Sequence, residues 1–175
     1  LKTAIAMKEA NENYDAAHKV WVKGMMNMRQ EKGIPIYPDA NSTLRLTYGQ
    51  VLPYEPADGV VYDAHTTLKG VMEKEDPGNW EFVVPQKLKE LYKMPVCFIV
   101  NTDNTGGNSG SPVFNSKGQL IGTAFDRNFE GLTGDIAFRP SSQRAACVDI
   151  RYTLFIIDKF AGASHIIDEL TICEQ

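Results

Sequence analysis

The stretch Gly107-Asn108-Ser109-Gly110-Ser111-Pro112 lies between two apolar segments, and its context decides how the chain is interpreted. Before it, residues 95–100 form a continuous apolar run that is typical of a buried strand. After it, residues 113–125 predict a β-hairpin that turns at Asn115-Ser116-Lys117-Gly118. Ser109 therefore sits in a glycine-rich loop that joins two predicted strands.

Ser109 is a candidate nucleophile. Glycine beside a serine permits unusual backbone angles and close approach by a substrate. The backbone N–H groups of Gly107 and Ser109 are spaced to stabilise a developing oxyanion, and Pro112 leads into a strand that anchors the loop. The alternative is a polar loop in which Ser109 only caps a turn. A nucleophile elbow of the α/β-hydrolase kind is disfavoured, because a helix should follow its serine.

Length and composition limit the class of protein. The chain has 175 residues, which suits one domain with or without an extension. Hydrophobic residues make up 43% and charged residues 23%, so a disordered or collagen-like chain is excluded. The net charge of −4 argues against nucleic acid as a partner. No apolar run approaches the roughly 20 residues of a membrane span, so none is predicted.

The N-terminal region has the periodicity of a helix. Apolar residues recur at spacings of three and four from residue 3 to about residue 31, and Gly33, Pro35 and Pro38 end the pattern. We expect its single apolar stripe to be a packing face.

The rest of the chain predicts mainly strands and short helices. Leu44, Leu46 and Tyr48 alternate with polar residues and predict a half-buried strand. The remaining expectations are a loop over residues 53–59, strands over 60–62 and 145–150, short helices or loops over 67–75 and 85–93, and C-terminal helical segments over 152–160 and 164–170.

The cysteines and histidines restrict the chemistry. Cys97, Cys147 and Cys173 are odd in number and lack CxxC spacing, which argues against a structural zinc site. Cys97 and Cys147 lie in apolar runs and are expected to be buried free thiols, although a disulfide between them stays open. The three histidines are far apart in sequence. We expect no metal site and no cofactor.

The segment from Gly106 to Gly122 resembles the serine loop and following hairpin of chymotrypsin-like peptidases, including HtrA-type proteases. The continuation narrows the resemblance to the bacterial dipeptidyl peptidases of that clan. It is carried by Ala124–Glu130, Gly134–Ile136, Gln143-Arg144, Val148–Tyr152, Ile157–Phe160 and Ile166–Leu170.

The resemblance covers residues 43–170 and implies a fold. The chain would be mainly β, with residues 36–175 forming the second six-stranded antiparallel β-barrel of a double barrel, followed by a C-terminal helix. Residues 1–35 would be the last helix of a helical cap domain inserted into the peptidase.

A serine triad also needs a histidine base and a carboxylate. In the resembling clan both precede the serine and come from the first barrel. His18, His65 and His165 do not fit that order, so we expect the triad histidine and aspartate to be absent from this chain. The length, the start at Leu1 and the unpartnered Ser109 together lead us to expect a C-terminal fragment that is inactive alone.

The resemblance also places Phe125, Asp126 and Arg127 at the wall of the P1 pocket. An arginine at this position marks the family members that cleave after Asp or Glu, the dipeptidyl-peptidase 11 type, and its guanidinium would bind the substrate carboxylate. Asp126 would hold the ammonium group of the substrate N-terminus. The alternatives are an exposed Arg127 paired with an acid such as Glu130, and a structural Asp126.

Asp135, Arg144, Asp149 and Arg151 also match the family pattern. For these residues we expect structural ion pairs.

The resemblance implies a parent serine exopeptidase that releases N-terminal dipeptides with Asp or Glu at P1 through an acyl-enzyme. Its partners would be a peptide with a free N-terminus, the N-terminal barrel and the helical cap, and the parent would be a periplasmic or cell-surface homodimer. The competing interpretations are an HtrA-like endopeptidase fragment and a non-catalytic β-barrel interaction module.

Overall fold

The candidate serine loop is carried by a five-stranded antiparallel sheet. The computed structural model describes residues 2–34, 43–90, 94–135 and 137–173, with side chains from residue 7 onward and without that of residue 135. The chain divides into two units, residues 1–41 and 42–175.

The first unit contains helix α1 (Lys2–Glu31), which confirms the predicted helix. Its C-terminus is closed by Gly33, whose φ is +65°. The N–H of Gly33 donates to the Gln30 carbonyl at 3.0 Å and the N–H of Ile34 donates to the Arg29 carbonyl at 2.9 Å. This pair of bonds is a Schellman motif, which satisfies the last carbonyl groups of the helix. The predicted stop at Pro35 and Pro38 lies outside the described residues.

The described residues of the second unit form two sheets and four short α-helices. Strands β1 (Tyr54–Ala57) and β2 (Val60–Tyr62) form a two-stranded sheet, and strands β3 (His65–Thr67), β4 (Pro95–Val100), β5 (Pro112–Phe114), β6 (Leu120–Arg127) and β7 (Ala145–Asp149) form a five-stranded sheet in the order β3-β4-β7-β6-β5. The helices are α2 (Leu68–Glu73), α3 (Gln86–Lys89), α4 (Ile150–Phe155) and α5 (Ser164–Asp168), with 3₁₀ turns at Trp80–Phe82 and Phe129–Asp135 and a π-helical turn at Ile156–Phe160.

The core of the larger sheet is built from its three central strands. Phe98 and Val100 of β4, Ala124 of β6, and Ala145 and Cys147 of β7 form one buried cluster. These apolar side chains share one face of the sheet, and removing that face from water stabilises the fold. The strands predicted at residues 95–100 and 145–150 are confirmed, as is the hairpin between β5 and β6.

Two local predictions are wrong. Residues 54–57, within the predicted loop, form β1, where Pro56 is tolerated because the two-stranded sheet leaves its nitrogen side unpaired. Residues 44–50 join neither sheet, and the side chains of Leu44, Leu46 and Tyr48 are 88–102% exposed. Alternation produces a half-buried strand only where a second layer covers the apolar face, and the described part of the chain supplies none there.

The second unit is mainly β, as predicted. The closed six-stranded barrel is not shown, since the hydrogen bonds of the described residues form an open ladder from β3 to β5.

The sheet register answers the disulfide question. Cys97 pairs with Val148, and Phe98 pairs with Cys147, so the two cysteines lie on opposite faces of adjacent strands. Both are free thiols. Burial raises the pKa of Cys97, and burial followed by the proximity of Cys97 raises the pKa of Cys147 to about 11. Cys147 is therefore a buried core thiol, as predicted, whereas Cys97 is only half-buried, and both stay protonated at neutral pH.

Gly122 marks the closest approach between β6 and its neighbours. A Cβ atom there would lie 2.5 Å from the Val148 carbonyl oxygen and 2.7 Å from the Phe98 ring. We predict that Gly122→Ala lowers the free energy of unfolding by about 2 kcal/mol, because backbone and core must both shift. Urea unfolding measures this.

Gly70→Ala is the matched control. Its Cβ would have no neighbour within 4 Å in helix α2, so stability should stay level or rise by up to about 1 kcal/mol. Equal effects of the two substitutions would contradict the packing at Gly122.

Candidate active site around Ser109

The loop that carries Ser109 is bonded to strand β6. The N–H of Gly110 donates to the Ala124 carbonyl at 2.7 Å, and the N–H of Ala124 donates to the Ser111 carbonyl at 2.9 Å. These bonds fix the two residues that directly precede β5, which begins at Pro112. Ser109 is thereby presented from a rigid sheet edge, as the sequence predicts.

Asn108 closes the preceding turn. Its side-chain Oδ1 accepts a hydrogen bond from the Thr105 N–H at 2.7 Å, and its own N–H donates to the Thr105 carbonyl at 3.3 Å. Gly107 has φ of +95° and Gly110 has φ of +87°, values that side chains with a Cβ rarely adopt. Sequence reasoning missed this role of Asn108, although asparagine in a glycine-rich loop is a general turn signal.

The turn leaves two backbone donors available. Within the described residues, the N–H groups of Gly107 and Ser109 donate to no protein acceptor. The Ser109 hydroxyl is exposed and donates to the Phe125 carbonyl at 3.2 Å. A free pair of N–H groups beside an exposed hydroxyl is the arrangement that acyl transfer needs for its oxyanion.

A β-bulge brings strand β6 to this hydroxyl. Ala124 pairs with Cys147, but the next pair along the ladder is Asp126 with Ala146, so Phe125 is an extra residue on β6. Bulges bend a strand and re-aim its side chains. Here Phe125 turns its carbonyl toward Ser109, and Arg127 pairs with the buried Ala145. Strand β6 is therefore irregular at this point.

Four of the predicted site residues line one cavity. Ser109, Phe125, Asp126 and Arg127 surround a volume of about 120 Å³, together with residues of the serine loop such as Asn104. Gly107, the fifth, lies in the same loop but does not line the cavity. The structure thus places the candidate nucleophile and the candidate specificity side chains within reach of one ligand.

The Arg127 side chain passes close to two glycines, Gly131 and Gly134. A Cβ atom on Gly131 would be 3.4 Å from the Cβ and Cδ atoms of Arg127, and one on Gly134 would be 3.5 Å from its Nη1. Nη1 donates to the Asn104 carbonyl at 3.4 Å. The alternative partner Glu130 instead accepts hydrogen bonds from the Tyr54 hydroxyl and the Asn128 amide.

Asp126 is exposed beside the same cavity. Its Oδ1 accepts a hydrogen bond from the Arg127 N–H at 2.8 Å, and the rest of the carboxylate faces solvent. Asp126 therefore contributes a carboxylate to the cavity that Arg127 also lines.

Neither His65 nor His165 lines the cavity beside Ser109 or is hydrogen-bonded to its hydroxyl. His65 lies on edge strand β3, and β4 and β7 separate it from β6, a span of about 14 Å at the usual strand spacing. His165 lies in α5. His18 belongs to α1 of the first unit, where it stacks against Tyr14 and Trp21.

The predicted structural ion pairs are confirmed in part. Asp149 and Arg151 form a bidentate salt bridge, in which Nε donates to Oδ1 at 2.9 Å and Nη2 donates to Oδ2 at 2.7 Å. The Asp149 side chain also caps helix α4. Burial favours the neutral form of Asp149, but the hydrogen bonds and charge of Arg151 outweigh it and lower the pKa. The prediction is wrong for Arg144, whose guanidinium donates to backbone carbonyls. The side chain of Asp135 lies outside the described residues.

No group of three or more metal-binding side chains comes together within the described ranges. Among the helices that the structure describes, none combines the length and apolarity needed to cross a membrane.

Comparisons with known proteins place the chain in a family. The family model of peptidase S46 matches residues 2–172. A dipeptidyl-peptidase 7 from Phocaeicola vulgatus is 55% identical over 181 residues, which cover 96% of this chain and 25% of that protein. An Asp/Glu-specific dipeptidyl-peptidase from Porphyromonas endodontalis is 52% identical over 168 residues, which cover 89% of this chain and 23% of that protein.

A solved structure shows the same fold. The crystal structure of Porphyromonas endodontalis DPP11 in complex with the dipeptide Arg-Asp matches with a TM-score of 0.76 and 51% identity, over 88% of this chain and 24% of that one. The chain spans about a quarter of the length of these relatives. With the family model matched over nearly the whole sequence, the chain belongs to the peptidase S46 family.

Proposed function

We propose that this chain is the C-terminal catalytic portion of a serine dipeptidyl peptidase that releases N-terminal dipeptides with Asp or Glu at P1. The observation that carries the proposal is the shared cavity, in which an exposed serine hydroxyl and an arginine side chain line the same 120 Å³. A carboxylate-bearing side chain held by Arg127 would leave its scissile carbonyl beside Ser109.

The proposed chemistry is acyl transfer. Ser109 Oγ attacks the scissile carbonyl, the N–H groups of Gly107 and Ser109 stabilise the oxyanion, and the dipeptide leaves after water hydrolyses the acyl-enzyme. The serine proton passes to a histidine base in a part of the enzyme beyond this chain. The position of His65, three strands away from β6, supports this part of the proposal, under which the isolated chain is inactive.

Arg127 supports the acidic P1 preference. A guanidinium can bind a carboxylate through two parallel, charge-assisted hydrogen bonds. Overall identity does not separate the two kinds of relative, at 55% for a dipeptidyl-peptidase 7 and 52% for an Asp/Glu-specific enzyme. The side chain at position 127 is therefore the feature on which the proposed specificity depends.

Asp126 would make the enzyme an exopeptidase by selecting substrates with a free N-terminus. Its exposed carboxylate is placed to attract the ammonium group of a free substrate N-terminus, which an HtrA-like endopeptidase would not require. Removal of the free N-terminus by acetylation of the substrate should then abolish cleavage.

The architecture of the complete enzyme follows from the same proposal. The five-stranded sheet would form part of the second barrel. A first barrel would supply the histidine base, and α1 would belong to a helical cap. The periplasmic or cell-surface location and the homodimer stay predictions of the family resemblance.

We predict that a fluorophosphonate probe labels Ser109 in the complete protein and does not label the isolated chain. Ser109→Ala should lower turnover of Xaa-Asp substrates by at least about 10³-fold, because the nucleophile is lost. Mass spectrometry of the labelled peptide locates the adduct.

Ser111→Ala is the control, because Ser111 lies two residues away and outside the cavity lining. Labelling of a different serine, or robust turnover by the isolated chain, would contradict the proposal.

We predict that Arg127→Gly in the complete protein lowers kcat/KM for Asp and Glu at P1 by about 100-fold and for Leu at P1 by less than about threefold. The loss follows from the missing charge-assisted hydrogen bonds. Steady-state kinetics on a matched substrate series measures both values. Lys117→Ala removes an exposed cation from the β5–β6 turn and should change neither. Equal loss for all substrates would reject the pocket role of Arg127.

A further inference from the structure

Asn128 ties the end of strand β6 to the approach to β7. Its N–H donates to the Arg144 carbonyl at 2.9 Å, and its Oδ1 accepts from the Arg144 N–H at 2.8 Å. Its Nδ2 donates to Glu130 Oε2 at 2.9 Å and to the Ser142 carbonyl at 2.7 Å. Its own carbonyl accepts from the Gly131 N–H at 2.9 Å. Each donor and acceptor type of this residue is thus engaged.

The partners of Asn128 extend the network to two further segments. The Arg144 guanidinium donates to the carbonyls of Leu52 at 3.1 Å and of Pro53 at 2.8 Å, and it lies 5.6 Å from the Tyr54 ring centroid. The Tyr54 hydroxyl donates to Glu130 Oε2 at 3.0 Å. Residues 52–54, 128–131 and 140–144 are therefore one hydrogen-bonded body.

Arg127 connects these hydrogen-bonded segments to the candidate active site. It directly precedes Asn128, and it lines both the cavity beside Ser109 and a second cavity of about 10 Å³ that Gln143 and Arg144 also line. Its stem passes Gly131, where an added Cβ would meet both Arg127 and Asn128 Oδ1. The path of the arginine side chain is therefore set by the backbone that Asn128 holds.

We propose that Asn128 is a positioning residue that orients Arg127 for an acidic P1 side chain. The inference rests on the proposed function and adds to it a residue that does not touch substrate. Arginine loses rotamer freedom when it binds a carboxylate, and a side chain already held in its bound direction loses less. Fixing the backbone on the C-terminal side of the bulge is how Asn128 provides that order.

The test is Asn128→Ala in the complete protein. We expect KM for Asp and Glu at P1 to rise about tenfold while kcat changes less than about twofold, because binding is weakened before chemistry is. The rate of Ser109 labelling by a fluorophosphonate should also stay within about twofold. That reaction needs the nucleophile and the oxyanion donors but no P1 carboxylate.

A compensating pair separates positioning from general damage. Asn128→Asp keeps the acceptor for the Arg144 N–H but sets a carboxylate against Glu130, and it should lower the Asp-over-Leu preference at least as far as Asn128→Ala. Adding Glu130→Gln replaces Oε2 by an amide nitrogen whose two hydrogens donate to the new carboxylate and to the Tyr54 hydroxyl oxygen. The double variant should recover the preference by about threefold or more.

Asn115→Ala is the matched control. Asn115 makes a comparable set of hydrogen bonds in the β5–β6 turn, outside both cavities, so its loss should leave the Asp-over-Leu preference unchanged.

The outcomes are distinguishable. Loss of acidic preference with retained labelling and rescue by the double variant supports the inference. Unchanged preference, or turnover and labelling that fall together without rescue, overturns it while the proposed function stands. If the unsubstituted enzyme shows no preference for acidic P1 residues, the proposed function itself fails.

Discussion

The extra residue in strand β6 is the constraint on which the candidate site depends. Because Phe125 has no partner on β7, its carbonyl turns to Ser109, and the strand re-enters the ladder with Arg127 opposite Ala145. Without the bulge the side chains beyond it would exchange faces, since strand residues alternate with a period of two. One inserted residue therefore decides whether nucleophile and guanidinium share a cavity.

The bulge has a structural cost, and the polar body around Asn128 offsets it. A bulge disrupts the local ladder, and the chain after it would be loosely held. Here the Asn128 side chain bonds to the backbone of Ser142 and Arg144, just before β7, and these bonds replace the missing ladder contacts. Burial lowers the pKa of Arg144, and several backbone carbonyls accept from its guanidinium in place of a carboxylate partner. A buried charge without such acceptors would be strongly destabilising.

Much of this arrangement could be predicted from local sequence. The serine loop, helix α1 and strands β4, β6 and β7 follow from glycine placement and apolar periodicity, which are properties of neighbouring residues. The bulge could not be predicted, because it depends on the register between β6 and β7. Arg144 was expected in an ion pair, since sequence shows charges but not the carbonyls of residues 52 and 53 that lie far away in the chain. The strand predicted from Leu44, Leu46 and Tyr48 is wrong for a related reason. Alternation indicates an apolar face but does not show what covers it.

The proposed function requires that Ser109 and Arg127 act on the same substrate residue. A crystal structure of the complete protein with Ser109→Ala and a bound Xaa-Asp peptide tests this requirement most directly. We expect two hydrogen bonds from the Arg127 guanidinium to the P1 carboxylate, with the scissile carbonyl oxygen near the N–H groups of Gly107 and of position 109. A P1 carboxylate bound elsewhere, with Arg127 directed away from it, would refute the proposed role of Arg127.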